Sequence, residues 1–292
     1  MVLTSKDITF TPGNHRYHVT DSKPRVYLPS VTTVCGLLDK PFLIQWAANV
    51  ASEAAVRATI AHQGALDDKE FMQLVDIGKK AHREVREEGG NVGTVVHNHV
   101  KKVLVPEWEI PEEEAELDGG LEAEMAIGCF DEWYQTNIVE KGAVVLLVEQ
   151  VVVHPEGKYV GTLDLFIKVP DTNSPTGWVL ELVDWKTSNQ SESNPLSLYP
   201  EYLFQISAYR RLLMLTPEFD KLFGPHPFGG AQQVSLGKNG QLGVTPISIE
   251  DLEMYADAFE TLAGILGVYR QAQKFIRDTN KAEKERRALA AL

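Results

Sequence analysis

The stretch AVVLLVEQVVVHPEGKYVGTLDLFIKVPDTNSPTGWVLELVDWKTS, residues 143–188, decides the fold. It contains three runs rich in β-branched residues, AVVLLVEQVVVH, KYVGTLDLFIKV and WVLELVDWK, separated by the turn formers PEG and PDTNSPTG. Such spacing predicts a meander of three antiparallel strands. The third run ends in Asp184 and Lys186. Side chains two apart on a strand share a face, so a carboxylate and an ammonium meet where a core strand reaches solvent. The second run carries Asp164 and the first Glu149, each an anomaly in an apolar strand where an unpartnered charge is costly.

Working outward, FTPGNHRYHVTDSKPRVYLPSVTTV (10–34) predicts a short hairpin leading into a capped helix, with TDSKP as its turn. Helical segments follow, broken at Pro41, then two more helices over 67–88 and 92–105. LEAEMAIGCFDEWYQTNIV has helical spacing that puts Met125, Cys129, Trp133 and Ile138 near one face. Beyond the meander we expect a helix from Pro200 to Leu215, a Gly/Pro-rich loop with a further strand or two, and a long amphipathic helix from Ile249 to the end. Helices, then sheet, then helix is an α+β layout rather than an alternating βαβ one. One domain, 1–292, is expected: a mainly helical part over 1–140, the sheet and its helix over 143–215, and the remainder over 216–292.

Composition is that of a globular protein, 43% hydrophobic and 24% charged, without an apolar run that could cross a bilayer. The first residues, MVLTSKDITF, lack the basic and apolar regions of a signal peptide. Two cysteines, Cys35 and Cys129, are too few for a disulfide framework and suit a reducing cytoplasm. The net charge of −13 argues against a broad surface for coating nucleic acid, though not against a narrow basic groove. Nine carboxylates crowd 106–124, a solvated loop and helix start, whereas 270–292 is net basic.

An Asp-x-Lys tripeptide is weak evidence alone, and DSK (21–23), DDK (67–69) and EGK (156–158) read as surface pairs. If adjacent strands bring Asp164 and Asp184 together, their repulsion calls for a cation. Mg²⁺ and Mn²⁺ are the natural occupants, being hard ions that prefer oxygen. Two carboxylates, such an ion and Lys186 make a site suited to phosphodiester hydrolysis. A buried Asp–Lys ion pair without metal is the competing reading. On the next helix Gln205 and Tyr209 stand at i and i+4, on one face.

The ordered set GTVVH (93–97), VEQ (148–150), GTLD (161–164), VDWKTS (183–188) and QISAY (205–209) resembles the RecB-like branch of the PD-(D/E)XK nuclease superfamily. It is similar to small single-domain exonucleases of that branch, including phage-encoded ones and the mitochondrial genome-maintenance exonuclease. LPSVTTV (28–34) followed by Trp46 is similar to their amino-terminal signature. The resemblance covers roughly residues 25–215. It implies a restriction-endonuclease-like core, with a small mixed sheet flanked by helices. It also implies metal ligation by Asp164, Asp184, His97 and the Trp185 backbone carbonyl, with Lys186 as the catalytic lysine. Gln205 and Tyr209 would brace the site, and Glu149 would be an auxiliary carboxylate. Ser30, Thr32, Thr33 and Trp46 would contact substrate, or else serve only capping and packing. Two cysteines cannot supply the four that hold an iron–sulfur cluster in many relatives, so no cluster is expected.

The expected function is therefore a Mg²⁺- or Mn²⁺-dependent DNA exonuclease acting on single strands or DNA ends, leaving 5′-phosphate and 3′-hydroxyl, with a recombination or replication protein as a further partner. An endonuclease or flap nuclease with the same core, and a non-catalytic DNA-binding module, are the alternatives.

Overall fold

A computed structural model describes residues 2–11, 16–38, 40–62, 67–192, 194–217 and 219–290. Its centre is a five-stranded sheet in the order β4 (Val144–Val153), β5 (Val160–Pro170), β6 (Trp178–Ser188), β7 (Phe228–Gly237), β8 (Leu242–Ile247). The expected meander is its first three strands, both junctions antiparallel. β7 then lies parallel to β6, reached through helix α6 (Pro200–Met214), and β8 turns back antiparallel. The result is a mixed sheet with helices on both faces, an α+β architecture.

Both faces are buried, which is why the strands read as near-continuous apolar runs. One face packs on α1 (Val31–Cys35), α6 and α8 (Ile249–Ala290), around Leu163, Phe166, Leu180, Leu182, Ile206 and Phe259. The other packs on α3 (Asp68–Leu104) and α5 (Gly120–Tyr134), where Phe130, Trp133 and Trp185 form edge-to-face and tilted ring contacts. At ~25 cal/mol per Å² of apolar surface, two such layers supply most of the drive for folding.

Local chemistry sets the helix starts. Ser30 Oγ accepts the Thr33 amide at the start of α1, and Pro41 opens α2 (Pro41–Ala61), where a missing N–H costs nothing. Asp67 and Glu70 form a reciprocal capping box at α3, and Pro200 opens α6. The amino-terminal hairpin is a separate three-stranded sheet, β1 (Ile8–Thr11), β2 (Arg16–Val19) and β3 (Tyr27–Leu28), with TDSKP between β2 and β3 as expected. The β1–β2 turn residues 12–15 lie outside the described residues. Two short helices, α4 (Glu112–Ala115) in the acidic stretch and α7 (Phe219–Phe223), a 3₁₀ turn at Ser5–Asp7 and a π-helical extension of α5 at Gln135–Glu140 add to these.

Three expectations need correction. The two helices expected over 67–88 and 92–105 are one, α3, running through Gly89, Gly90 and Gly93. Each glycine costs ~1 kcal/mol against alanine in a helix interior. Packing at both ends offsets this: Gly78 lies against the Ala51 carbonyl of α2, while Val92, Val96 and Val100 are in the core. Met125 does not join Cys129, Trp133 and Ile138, being 38% exposed. The last helix is amphipathic only in its first part, where Leu252, Ala256, Phe259 and Leu266 are buried; its later residues are largely exposed.

Candidate functional site

Strand register assembles the site. Val148 pairs with Leu165 and Gln150 with Leu163, so Glu149 on β4 lies across from Asp164 on β5. Leu165 pairs with Val183, so Asp164 in turn lies across from Asp184 on β6. Asp184 is the partner of Gln233 on β7. Four polar residues thus form one row across the strands. Glu149 adopts φ 47°, the left-handed region that L side chains rarely occupy, and the ladder is interrupted there.

Asp164 and Asp184 are 7% and 1% exposed. Lys186 Nζ lies 2.7 Å from Asp184 Oδ2. The contact is close but not well directed, and neither Asp184 oxygen accepts a good hydrogen bond among the described residues. The Trp185 amide donates to Asp164 Oδ2 at 3.0 Å. Burial, reinforced by the Asp184 charge, pushes the Asp164 carboxyl from an ordinary 3.8 up to about 7. Burial opposes the charge on Lys186, but Asp184 and then Asp164 outweigh it and hold the ammonium above its ordinary value.

On the α3 side, His97 Nδ1 is 3.0 Å from Glu149 Oε1. Burial works against both charges, yet each group favours the other's charged form: the imidazole is raised and the carboxyl lowered. Only Nε2 of His97 remains for any other ligand. Its ring packs against Trp185 with centroids 6.4 Å apart.

On the α6 side, Gln205 Nε2 donates to the Tyr209 hydroxyl at 2.9 Å. Burial raises the Tyr209 phenol well above its usual range, and the Asp184 and Asp164 charges add to that. The ring fits because residue 161 is glycine: a Cβ there would sit 2.6 Å from Tyr209 Cε1. The motif glycine therefore seats the tyrosine.

Of the residues expected from sequence, Asp164, Asp184, Lys186, Glu149, His97, Gln205 and Tyr209 are gathered around the row. Trp185 contributes its amide and a core ring. Ser30, Thr32 and Thr33 form a hydroxyl cluster, Ser30 Oγ lying 2.9 Å from Thr32 Oγ1 and 2.7 Å from Thr33 Oγ1. Ser30 also bridges to Val160 at the head of β5. Trp46, on α2, is 37% exposed and, among the described residues, has no hydrogen bond, ring contact or ion pair to the row.

Three further residues join the site. The Tyr202 ring lies 5.6 Å beneath Lys186 Nζ; it stands three residues before Gln205, a helical spacing that could have flagged it. Gln233 Nε2 donates to the Asp184 carbonyl at 2.9 Å, and its Oε1 is buried without a partner among the described residues. Its signal was two glutamines inside the apolar run GGAQQVSLG, the same anomaly as Asp164. Tyr17 OH lies 2.8 Å from Thr162 Oγ1 and had no sequence signal.

The donor set suits a hard cation in one respect, a pair of facing carboxylates one of which lacks directed hydrogen bonds. Among the described residues, no group of three or more His, Cys, Asp or Glu side chains is gathered closely enough to hold an ion. No helix among them is long and apolar enough to cross a membrane. No family model and no curated protein matches the chain.

Proposed function

We propose that the protein is a metal-dependent DNA nuclease built on a restriction-endonuclease-like core, an exonuclease of single strands or DNA ends. The observation that carries this reading is the buried pair of Asp164 and Asp184 on neighbouring strands, with Lys186 Nζ 2.7 Å from Asp184. The antiparallel meander followed by a helix and a parallel strand supports the same core.

Asp164 and Asp184 would hold the ion, Mg²⁺ or Mn²⁺, with Nε2 of His97 as a further donor. Such an ion, when bound, offsets charge on the phosphate and lowers the pKa of a water. The protein's own groups do the rest. The Trp185 amide fixes one oxygen of Asp164. Lys186 stays protonated and presents a fixed positive charge to the phosphate oxygens or to the attacking water's lone pair. The hydrogen-bonded His97–Glu149 pair anchors the α3 side, Nδ1–H on Glu149 leaving Nε2 of a neutral imidazole for the ion, and the Gln205–Tyr209 pair buttresses the other. Hydrolysis adds the water oxygen to phosphorus and breaks its bond to the 3′-oxygen, which takes up a proton, leaving 5′-phosphate and 3′-hydroxyl.

A non-catalytic module that keeps the fold is the second reading. It is favoured by one observation: among the described residues no three ligating side chains are already gathered. The deciding assay uses end-labelled single- and double-stranded DNA, linear and circular, with Mg²⁺, with Mn²⁺ and with EDTA. Metal-dependent loss of linear substrate with circles spared is expected. Cut circles would make it an endonuclease, and intact substrate under every condition would overturn the nuclease reading.

A further inference from the structure

The basic end of α8 is exposed, but one of its faces lines a groove. Arg270, Gln273 and Arg277, at i, i+3 and i+7, share one helix face. That face closes a cavity of about 500 Å³ against the amino-terminal hairpin, where Arg16, Tyr27, Ser30 and Thr33 form the opposite wall. Among the described residues no carboxylate lines it. Among the described residues none of the three arginines forms an ion pair; Arg57, Arg210, Arg211, Arg286 and Arg287 have carboxylate partners, while Arg25, Arg83 and Arg86, which do not line the cavity, have none. In a chain of net charge −13, three unneutralised guanidinium groups around one concavity attract an anion.

Two further observations define the anion. Tyr27 is 47% exposed, with the Arg16 guanidinium 5.8 Å from its ring centroid, a surface on which a base can stack. The cavity also borders the amino end of β5, the strand that carries Asp164. Ser30 bridges to Val160, and Tyr17, next to Arg16, reaches Thr162. Asp164 lies four residues further along that strand, about 13 Å from Val160 at ~3.3 Å each. The cavity has the volume of a single-ligand site, enough for a nucleotide or two of a single strand and not for a duplex.

We propose that this groove between α8 and the hairpin binds the sugar–phosphate backbone of single-stranded nucleic acid, with Arg16, Arg270 and Arg277 on phosphates and Tyr27 under a base, beside the amino end of the strand that carries Asp164. The choice of a nucleic acid as the anion rests on the nuclease reading above; the anion chemistry of the groove does not. Arginine suits the role because its planar fork meets two phosphate oxygens at once.

The test is binding of a fluorescent oligo-dT, followed by anisotropy in EDTA so that no hydrolysis intervenes. Arg270→Glu/Arg277→Glu is compared with Arg286→Glu/Arg287→Glu, an equal charge change at arginines paired with Glu283. Both pairs lie on exposed helix surface, so neither substitution disturbs the core. The groove variant should bind at least ~10-fold more weakly, with a salt dependence shallower by about 1.4 from two lost phosphate contacts. The control should bind as the wild type does. Equal loss in both variants would show a net-charge effect and overturn the groove, as would wild-type binding by both. Cleavage by the wild type in Mg²⁺ is scored separately, so a failed nuclease reading and a failed groove give different results.

Discussion

Asp164→Asn tests the electrostatics of the row. An Asp164 carboxyl that titrates near 7 rather than 3.8 binds its proton more tightly when folded than when unfolded. The folded state then loses stability as pH rises from about 4 to about 7, where the unfolded chain has already released that proton and the folded one has not. Above pH 7 both states are ionised and the full penalty stands. At ~1.4 kcal/mol per tenfold in proton affinity it comes to about 4 kcal/mol, an upper figure because residual denatured-state structure reduces it. Asparagine keeps the oxygen that accepts from the Trp185 amide and removes the charge. Urea unfolding in EDTA should therefore find Asp164→Asn more stable than wild type by about 2–4 kcal/mol at pH 8, the difference shrinking steadily toward pH 4. The Asp164 charge also helps to raise the His97 imidazole, so the variant gives up part of that contribution and the expected gap is the smaller for it. Added Mg²⁺ should narrow the gap at pH 8 by stabilising the wild type more than the variant. A variant no more stable than wild type at pH 8, or two parallel pH profiles, would refute the repulsion on which the site is argued.

Lys186→Ala leaves Asp184 without its ammonium. Hydrolysis should fall by at least ~100-fold, while oligonucleotide binding in EDTA stays within a few-fold of wild type. Cleavage at the wild-type rate would remove Lys186 from the chemistry, and a protein that no longer folds would mark it as one half of a structural ion pair. Gly161→Ala places a methyl 2.6 Å from Tyr209 Cε1 and 3.1 Å from Val31 Cγ2. It should cost about 1–3 kcal/mol in urea unfolding, with cleavage reduced as Tyr209 is displaced. A Gly161→Ala protein as stable as wild type would show that the tyrosine has room to move.

The local grammar of the chain was legible before any coordinates. Period-two and continuous apolar runs marked β4, β5 and β6, and turn formers marked where they end. Ser30, Pro41, Asp67 and Pro200 announced helix starts because capping is a contact between near neighbours in sequence. Asp164 and Asp184 stood out because a charge in a buried strand has few structural excuses. What sequence could not fix was register, since sliding one strand by a residue turns every side chain to the opposite face. Register aligns Glu149, Asp164, Asp184 and Gln233, whose sequence separations give no hint of it. The same holds for α3, expected as two helices with a gap at 89–91, where packing against α2 and the core carries one helix through Gly89 and Gly90. It holds too for the end of α8, which composition marked only as basic. Its three lining residues acquire a specific role because the helix returns past Arg16 and Tyr27, some 250 residues away along the chain, a contact set by tertiary packing.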